Sequence, residues 1–460
     1  MRKPLVRHVL LVTLASISLL ATGCSAGTGA PSPAAAGAEV RPTTVATADP
    51  SPAKQLAVAG VPEGKPTALA RAGGGEKAKQ SPLKVASYDR TSRRAVISTE
   101  KKAPSAGPTT PAESAPAVGD IIASGPAPGA PDGLLAKVTD VAGKTEKGTE
   151  VRTEPATLGA LLGDDKAQGT VPVDPATVDV EPLVQGVKVS WAKTGNIRFG
   201  PQGAKVPLGS LRIDLGASVP LPVTEGAPVS GAASVAGYVQ LAPEVEFSYD
   251  GSSVIAPDSA FLGLSGDWTS GWELKGKAVA NGKPVRIPFA KLHADPVIQV
   301  GPVPVVVNLD LTAYVQVAAD GAVTVDVRQD LKGDFRIGGS YSKAGGWKPV
   351  STADMTSTPV RAKVTAAGQV KAAMGAEATV GLYGAVGVTG DLAPYVRGEA
   401  SAAATPSSLV GSWKLYGGVD LTGWLQLQLS IFGTPVIQHR IPLGSFNREW
   451  QLAHGEGAVA

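Results

Sequence analysis

A single cysteine, Cys24, occurs in 460 residues. No intrachain disulfide can form, so the fold rests on its core alone. Histidine is nearly as scarce. After His8 there are only His293, His439 and His454, and none stands at metal-ligand spacing from another His or from the cysteine. Zinc sites of the HExxH or CxxC kind are thereby excluded. No Gly-x-Ser-x-Gly elbow, P-loop or GxGxxG after a strand is present, so the usual markers of nucleophilic and nucleotide chemistry are missing and no cofactor is implied. His439, between Gln438 and Arg440 in a short strand, reads as a structural imidazole. A basic excess is also lacking. The formal net charge of +3 is accounted for by Arg2, Lys3 and Arg7, and the rest of the chain balances. A dedicated nucleic-acid binder would need that excess on its folded part. Aromatics are only 5% of the chain against 56 Gly and 38 Pro, so part of the length is not core.

What is present begins with the start of the chain. Arg2, Lys3 and Arg7 precede the apolar run Val9 to Ala21, and Thr22-Gly23-Cys24 follows. This is a positive n-region, an apolar h-region and small residues before a cut. The run is shorter than the ~20 residues of a transmembrane helix. Leu20-Ala21-Thr22-Gly23-Cys24 resembles the bacterial lipobox, with Ala21 where that pattern usually has Leu. The resemblance implies cleavage at 23, lipidation of Cys24, and anchoring on the outer face of the cell membrane. Two or three acyl chains hold where one is marginal.

From 24 to 117 the chain is rich in Ala, Pro, Thr and Gly, and the composition predicts a disordered or polyproline-like tether, with a short strand near Val85 to Ser98. Its basic residues are densest at Lys77, Lys79, Lys84, Arg90, Arg93, Arg94, Lys101 and Lys102. Such a segment suits an anionic membrane or envelope polymer, or serves only solubility. Order is expected from 118. Ile121-Ile122, Leu134 to Val138, and Val151 read as three short strands, and Thr153-Glu154-Pro155 as a helix entry with Leu158, Leu161 and Leu162 on one face. Val118-Gly119-Asp120, Gly133-Leu134-Leu135-x-Lys137-Val138-Thr139 and Thr153-Glu154-Pro155-Ala156-Thr157-Leu158 make this stretch, 118–180, similar to an N-terminal module of uncharacterised secreted bacterial proteins. That resemblance implies a following domain of long strands and no catalytic residue.

From 181 to 455 apolar residues recur at period two. Val187, Val189 and Trp191 keep one parity, as do Leu211, Ile213 and Leu215. Val235 to Tyr249 keep theirs through Pro243, which marks an edge or bulge. Asn281-Gly282 is a hairpin-turn signal. The strongest pattern is Pro302 to Tyr341: Val303 to Val317 on one face, then Ala319-Asp320-Gly321, then Val323 to Ile337 on that same face, with charged residues alternating. It predicts a long β-hairpin with a dry and a wet side. The domain is therefore mainly β, a large antiparallel sandwich or barrel of long amphipathic strands. Tyr-Val-Gln at Tyr238 and again at Tyr314, and Pro-Val-Ile-Gln at 296 and at 435, raise duplication as a reading.

The chemistry of this domain is less legible. Asp310 and Asp326 are candidates for the paired carboxylates of a glycan hydrolase, since both would lie on the wet side of the hairpin. Asp326, Asp330 and Asp334 interleave with Arg328, Lys332 and Arg336, which is the pattern of a solvated ladder, and that reading is preferred. Tyr416 and Trp424 share the wet parity with Asp420, Gln426 and Gln428, so Tyr416, Trp424 and Gln426 are candidate glycan contacts. Abundant small residues between Val364 and Val388 admit a third reading, an enclosed cavity carrying a lipid. The expectation taken forward is an exported, lipid-anchored, non-enzymatic envelope protein whose β-domain binds or braces.

Overall fold

The computed structural model describes residues 53–61, 69–73, 77–99, 115–174, 177–192, 198–200, 203–205, 210–220, 233–251, 257–281, 284–357, 361–365, 368–404, 409–426, 429–432, 440–443 and 445–458. Cys24, Gly282, Lys101, Lys102, His439 and the stretch 434–438 lie outside them.

Nearly everything described is antiparallel β-structure, in one seven-stranded sheet, one very large sheet and a small hairpin. The smaller sheet contains β1 (Leu69–Ala72), β2 (Lys79–Ser81), β3 (Leu83–Asp89), β4 (Arg94–Thr99), β5 (Ile121–Ser124), β6 (Leu134–Thr145) and β7 (Gly148–Pro155), in the order β2-β1-β5-β6-β7-β4-β3. The three strands expected after 118 are therefore present. The span 24–117, however, is not tether throughout, because four of its segments complete this sheet. Leu69, Leu83, Val85, Ala95 and Ile97 look isolated in sequence, yet they bury against Ile122, Val138 and Val151. Each fully buried Val, Leu or Ile contributes about 1.5–3 kcal/mol, which offsets the ordering cost that composition alone suggested would win. The helix is also displaced. Thr153 to Pro155 remain in β7, and a single turn, α1 (Gly159–Leu162), follows Leu158; the three leucines are buried as expected.

The large sheet takes up β8 (Lys166–Pro172), β9 (Ser210–Pro220), β10 (Ala233–Asp250), β11 (Ser259–Asn281), β12 (Val285–Ala294), β13 (Val303–Ser342), β14 (Gly346–Ser357), β15 (Arg361–Thr365), β16 (Gly368–Leu382), β17 (Ala385–Ala404), β18 (Leu409–Gln426) and β19 (Phe446–Ala458). Because β8 pairs with β10, the sheet reaches back across the boundary expected at 181.

The predicted hairpin is one strand of 40 residues. Asp320 and Gly321 do not turn: Asp320 pairs with Asn281 on one side and Gln369 on the other, and Gly321 with Ala280 and Gly368. β11 and β12 do not form a hairpin with each other either, since both run on in one direction along β13, from Ser259↔Ser342 to Ala294↔Leu309. On the other edge β14, β15 and β16 do the same, from Gly346↔Ser342 to Leu382↔Val307. Both flanks supply backbone partners over almost the whole length of β13, and that outweighs the local turn preference of Ala-Asp-Gly.

Extended at about 3.3 Å per residue, β13 would run roughly 130 Å. It is doubled over instead. Gly390 pairs with Ala378, which pairs with Leu311, yet Gly390 also receives the side chain of Ile337, roughly 85 Å further along a straight strand. Leu425 likewise meets Gly339, and the Met374 sulfur lies 4.0 Å from the Ser270 hydroxyl oxygen. The dry face of one half of the ribbon thus packs on the dry face of the other, as a sandwich made from the two ends of the same strands. Among the described residues no pairing closes it into a barrel. Inward side chains set over glycines let the layers approach closely, which is how so many small residues still make one continuous core. Pro243 sits in mid-strand at the junction where β9 leaves the edge of β10 at Leu241 and β8 takes it up from Glu244, so its missing N–H interrupts neither ladder.

Candidate functional site

The wet face carries the residues singled out from sequence, but does not gather them. Tyr416 and Trp424 are eight positions apart on β18, roughly 26 Å. Each ring faces a guanidinium, Arg397 at 4.2 Å from the Tyr416 centroid and Arg440 at 5.2 Å from that of Trp424. A hydrogen bond to Glu399 is the main cause raising the Tyr416 pKa. Gln426 ends the same strand. Tyr416 thus stands apart from the other two along the strand. Asp310 and Asp326 are likewise far apart on one strand, where a hairpin would have set them near each other. Asp310 pairs across to His293, and Asp326 stands opposite Lys275 and Lys363 in the ladders. The basic residues of 77–94 are partly engaged within the fold: Lys77 with Asp164 and Asp165, Arg90 with Asp132, Arg94 with Glu150.

A recurring device on this face was visible in sequence only as the repeated Tyr-Val-Gln. Tyr314 of β13 stands opposite Gly375 of β16, and its ring lies across that glycine, so that its hydroxyl donates to Asp391 Oδ1 on β17. Arg286 of β12 stacks on the ring with its Cζ 3.5 Å from the centroid, and bonds Glu377 and Asp391 at 3.0 and 3.1 Å. Tyr395 of β17 repeats this over Gly418 of β18. Its hydroxyl donates to Glu449 of β19 at 3.0 Å, and Lys371 of β16 both covers the ring and pairs with Asp420. Tyr238 of β10 lies over Gly271 of β11 under Arg212, with Asp330 of β13 beside it. Each unit locks three or four strands in register through one aromatic ring. Burial, followed by the adjacent carboxylates, drives the Tyr314 and Tyr395 pKa values upward, so both stay protonated as donors. Burial raises Asp391 against the opposing effects of Tyr314 and Arg286.

His293 forms a smaller clasp. Its Nδ1 lies 2.8 Å from Asp310 Oδ1 and its Nε2 3.0 Å from Asp295 Oδ2, while Asn308 donates to Asp295 Oδ1 at 2.7 Å. Burial alone would lower the imidazole pKa, but the hydrogen bonds and charges of the two aspartates outweigh it and raise it. Among the described residues no group of three or more His, Cys, Asp or Glu is placed to hold a metal ion, and no helix is long and apolar enough to cross a membrane.

The dry side contains a polar exception. Gln329 of β13 is 1% exposed and points inward, next to Gly417 of the facing layer, and neither its amide nitrogen nor its amide oxygen has a hydrogen-bond partner. Trp272, directly opposite it on β11, and Trp268 four residues earlier are both buried with indole N–H groups equally unpaired. Sequence offered a weak cue: Gln329 interrupts the apolar parity between Val327 and Leu331. No family model matches this chain, and neither the curated proteins nor the solved structures contain a match.

Proposed function

We propose that this is an exported envelope protein, held at the outer face of the cell membrane by lipid on Cys24, whose β-domain braces or binds without catalysing a reaction. The membrane part of the reading rests on Arg2, Lys3 and Arg7, the apolar run to Ala21, and Leu20 to Cys24. The non-catalytic part rests on one observation: among the described residues, several ionisable side chains of the wet face tie separate strands together. Arg286, Lys371 and Arg397 each reach over an intervening strand to a carboxylate two or three strands away, and the rings between them are covered. A hydrolase would keep two carboxylates facing each other across a cleft, whereas Asp310 and Asp326 are separated along β13. Sheets locked in this way resist sliding, which suits a rigid domain carried on a membrane tether.

Metabolic labelling with an alkyne palmitate analogue tests the anchor. Label is expected on the full chain and in the membrane fraction, and both are expected to vanish in Cys24→Ala. Label that persists in Cys24→Ala contradicts the assignment.

A further inference from the structure

The orphaned polar groups of the dry side lie together. Trp268, Ser270 and Trp272 alternate inward along β11, with Gln329 across from Trp272, so two indole donors, a hydroxyl and a primary amide span roughly 13 Å of one strand pair. The Ser270 hydroxyl has only the Met374 thioether, at 4.0 Å. An unsatisfied buried donor costs about 1–3 kcal/mol, and leaving several at one level is rare in a finished core. The surroundings fit an occupant. Met355 and Met374 are the only methionines after Met1; one is paired with Gly333, over which the Trp268 indole lies, and the other faces Ser270. Methionine is the side chain that best repacks around a guest. Opposite Gln329 stands Gly417, whose missing side chain makes room for the Gln329 amide beside Leu452, so the amide is held at the facing layer with no polar partner. The neighbouring inward residues, Val239, Leu241, Leu331 and Phe335, are apolar, and no charged group shares these rows.

We propose that Trp268, Ser270, Trp272 and Gln329 bind the oxygen-bearing part of an uncharged, otherwise apolar molecule, of the acylglycerol type, between the two layers. Ester or hydroxyl oxygens would accept from the indoles and the amide, and the chains would lie against the valines, leucines and methionines. A charged head group has no counter-charge here and would meet a desolvation cost of several kcal/mol. This goes beyond the envelope reading above and does not depend on Cys24.

The test is a titration of the purified full chain with dioctanoylglycerol, read by tryptophan emission and by the shift in thermal midpoint, with dioctanoylphosphatidate as the charged counterpart. The expected result is a saturable emission change and a raised midpoint with dioctanoylglycerol and neither with the phosphatidate. Gln329→Leu replaces an unsatisfied amide by an apolar group of similar size. It is expected to fold with an unchanged or higher midpoint and to bind at least tenfold more weakly, with Trp272→Phe behaving similarly; Tyr416→Ala, on the wet face, should bind normally. Absence of any response in the wild-type chain, equal binding by Gln329→Leu, or preference for the phosphatidate would each overturn the proposal. The first of these would mean that ordered water alone meets these groups.

Discussion

Tyr314 and Asp391 lie on strands that are not neighbours, and the hydroxyl of one donates to the carboxylate of the other across Gly375. The glycine is required by the ring. A Cβ at 375 would stand 2.5 Å from Tyr314 Cζ. Gly375→Ala is therefore expected to lose about 1–3 kcal/mol in urea unfolding, by overpacking. In a Tyr314→Ala background the same substitution should cost much less, and equal costs in both backgrounds would show that the ring is not what excludes the methyl.

The His293 clasp gives a pH dependence with a definite sign. Its folded-state pKa is raised above the ordinary 6.5. The contribution is then fully present below the unfolded value and is lost as pH rises through the folded one. The urea midpoint should fall between about pH 6 and 8 in the wild-type chain, and this fall should be shallower in His293→Gln. Identical slopes would remove the clasp from the account.

Arg397 and Glu449 predict the acid side. Arg397 Nε and Nη2 donate to the two Glu449 oxygens at 2.9 and 2.7 Å, and this bond is the chief cause holding the Glu449 pKa below 4.5. A depressed carboxylate stabilises above its unfolded pKa and loses that contribution as pH falls through the folded one. Arg397→Met should cost about 1–2 kcal/mol at neutral pH, with the gap to wild type narrowing below about pH 4.5. A gap that stays constant to acid pH would mean packing, not charge, is lost.

Parity was legible in the sequence because it is local: Val303 to Val317 and Leu331 to Ile337 face inward as their alternation requires. What joins to what was not. Ala319-Asp320-Gly321 has the composition of a turn, and only the partners on both sides keep it extended. The strands at 69–99 were hidden for a related reason, since Ala95 and Ile97 are buried by residues more than 50 positions away. The tyrosine units need three strands in register, and sequence shows only one at a time. Tyr416, Trp424 and Gln426 have the right parity for a shared surface, but the spacing along β18 spreads Tyr416 and Trp424 apart.

Folding of the 69–99 stretch can be checked by limited trypsin digestion. Arg94 is paired with Glu150 inside β4, and its neighbour Ala95 is fully buried. Cleavage after Arg94 should be absent in the native chain and appear in denaturant. Rapid native cleavage there would return this stretch to the tether.

The continuity of β13 is the claim on which the doubled ribbon rests, and cysteine pairs test it most directly. Thr312 stands opposite Lys291 in the continuous strand; a hairpin turning at Asp320 would set it opposite Arg328. In a Cys24→Ala background, Thr312→Cys with Lys291→Cys is expected to form a disulfide on mild oxidation, and Thr312→Cys with Arg328→Cys is expected to remain reduced. The reverse outcome would contradict the fold described here.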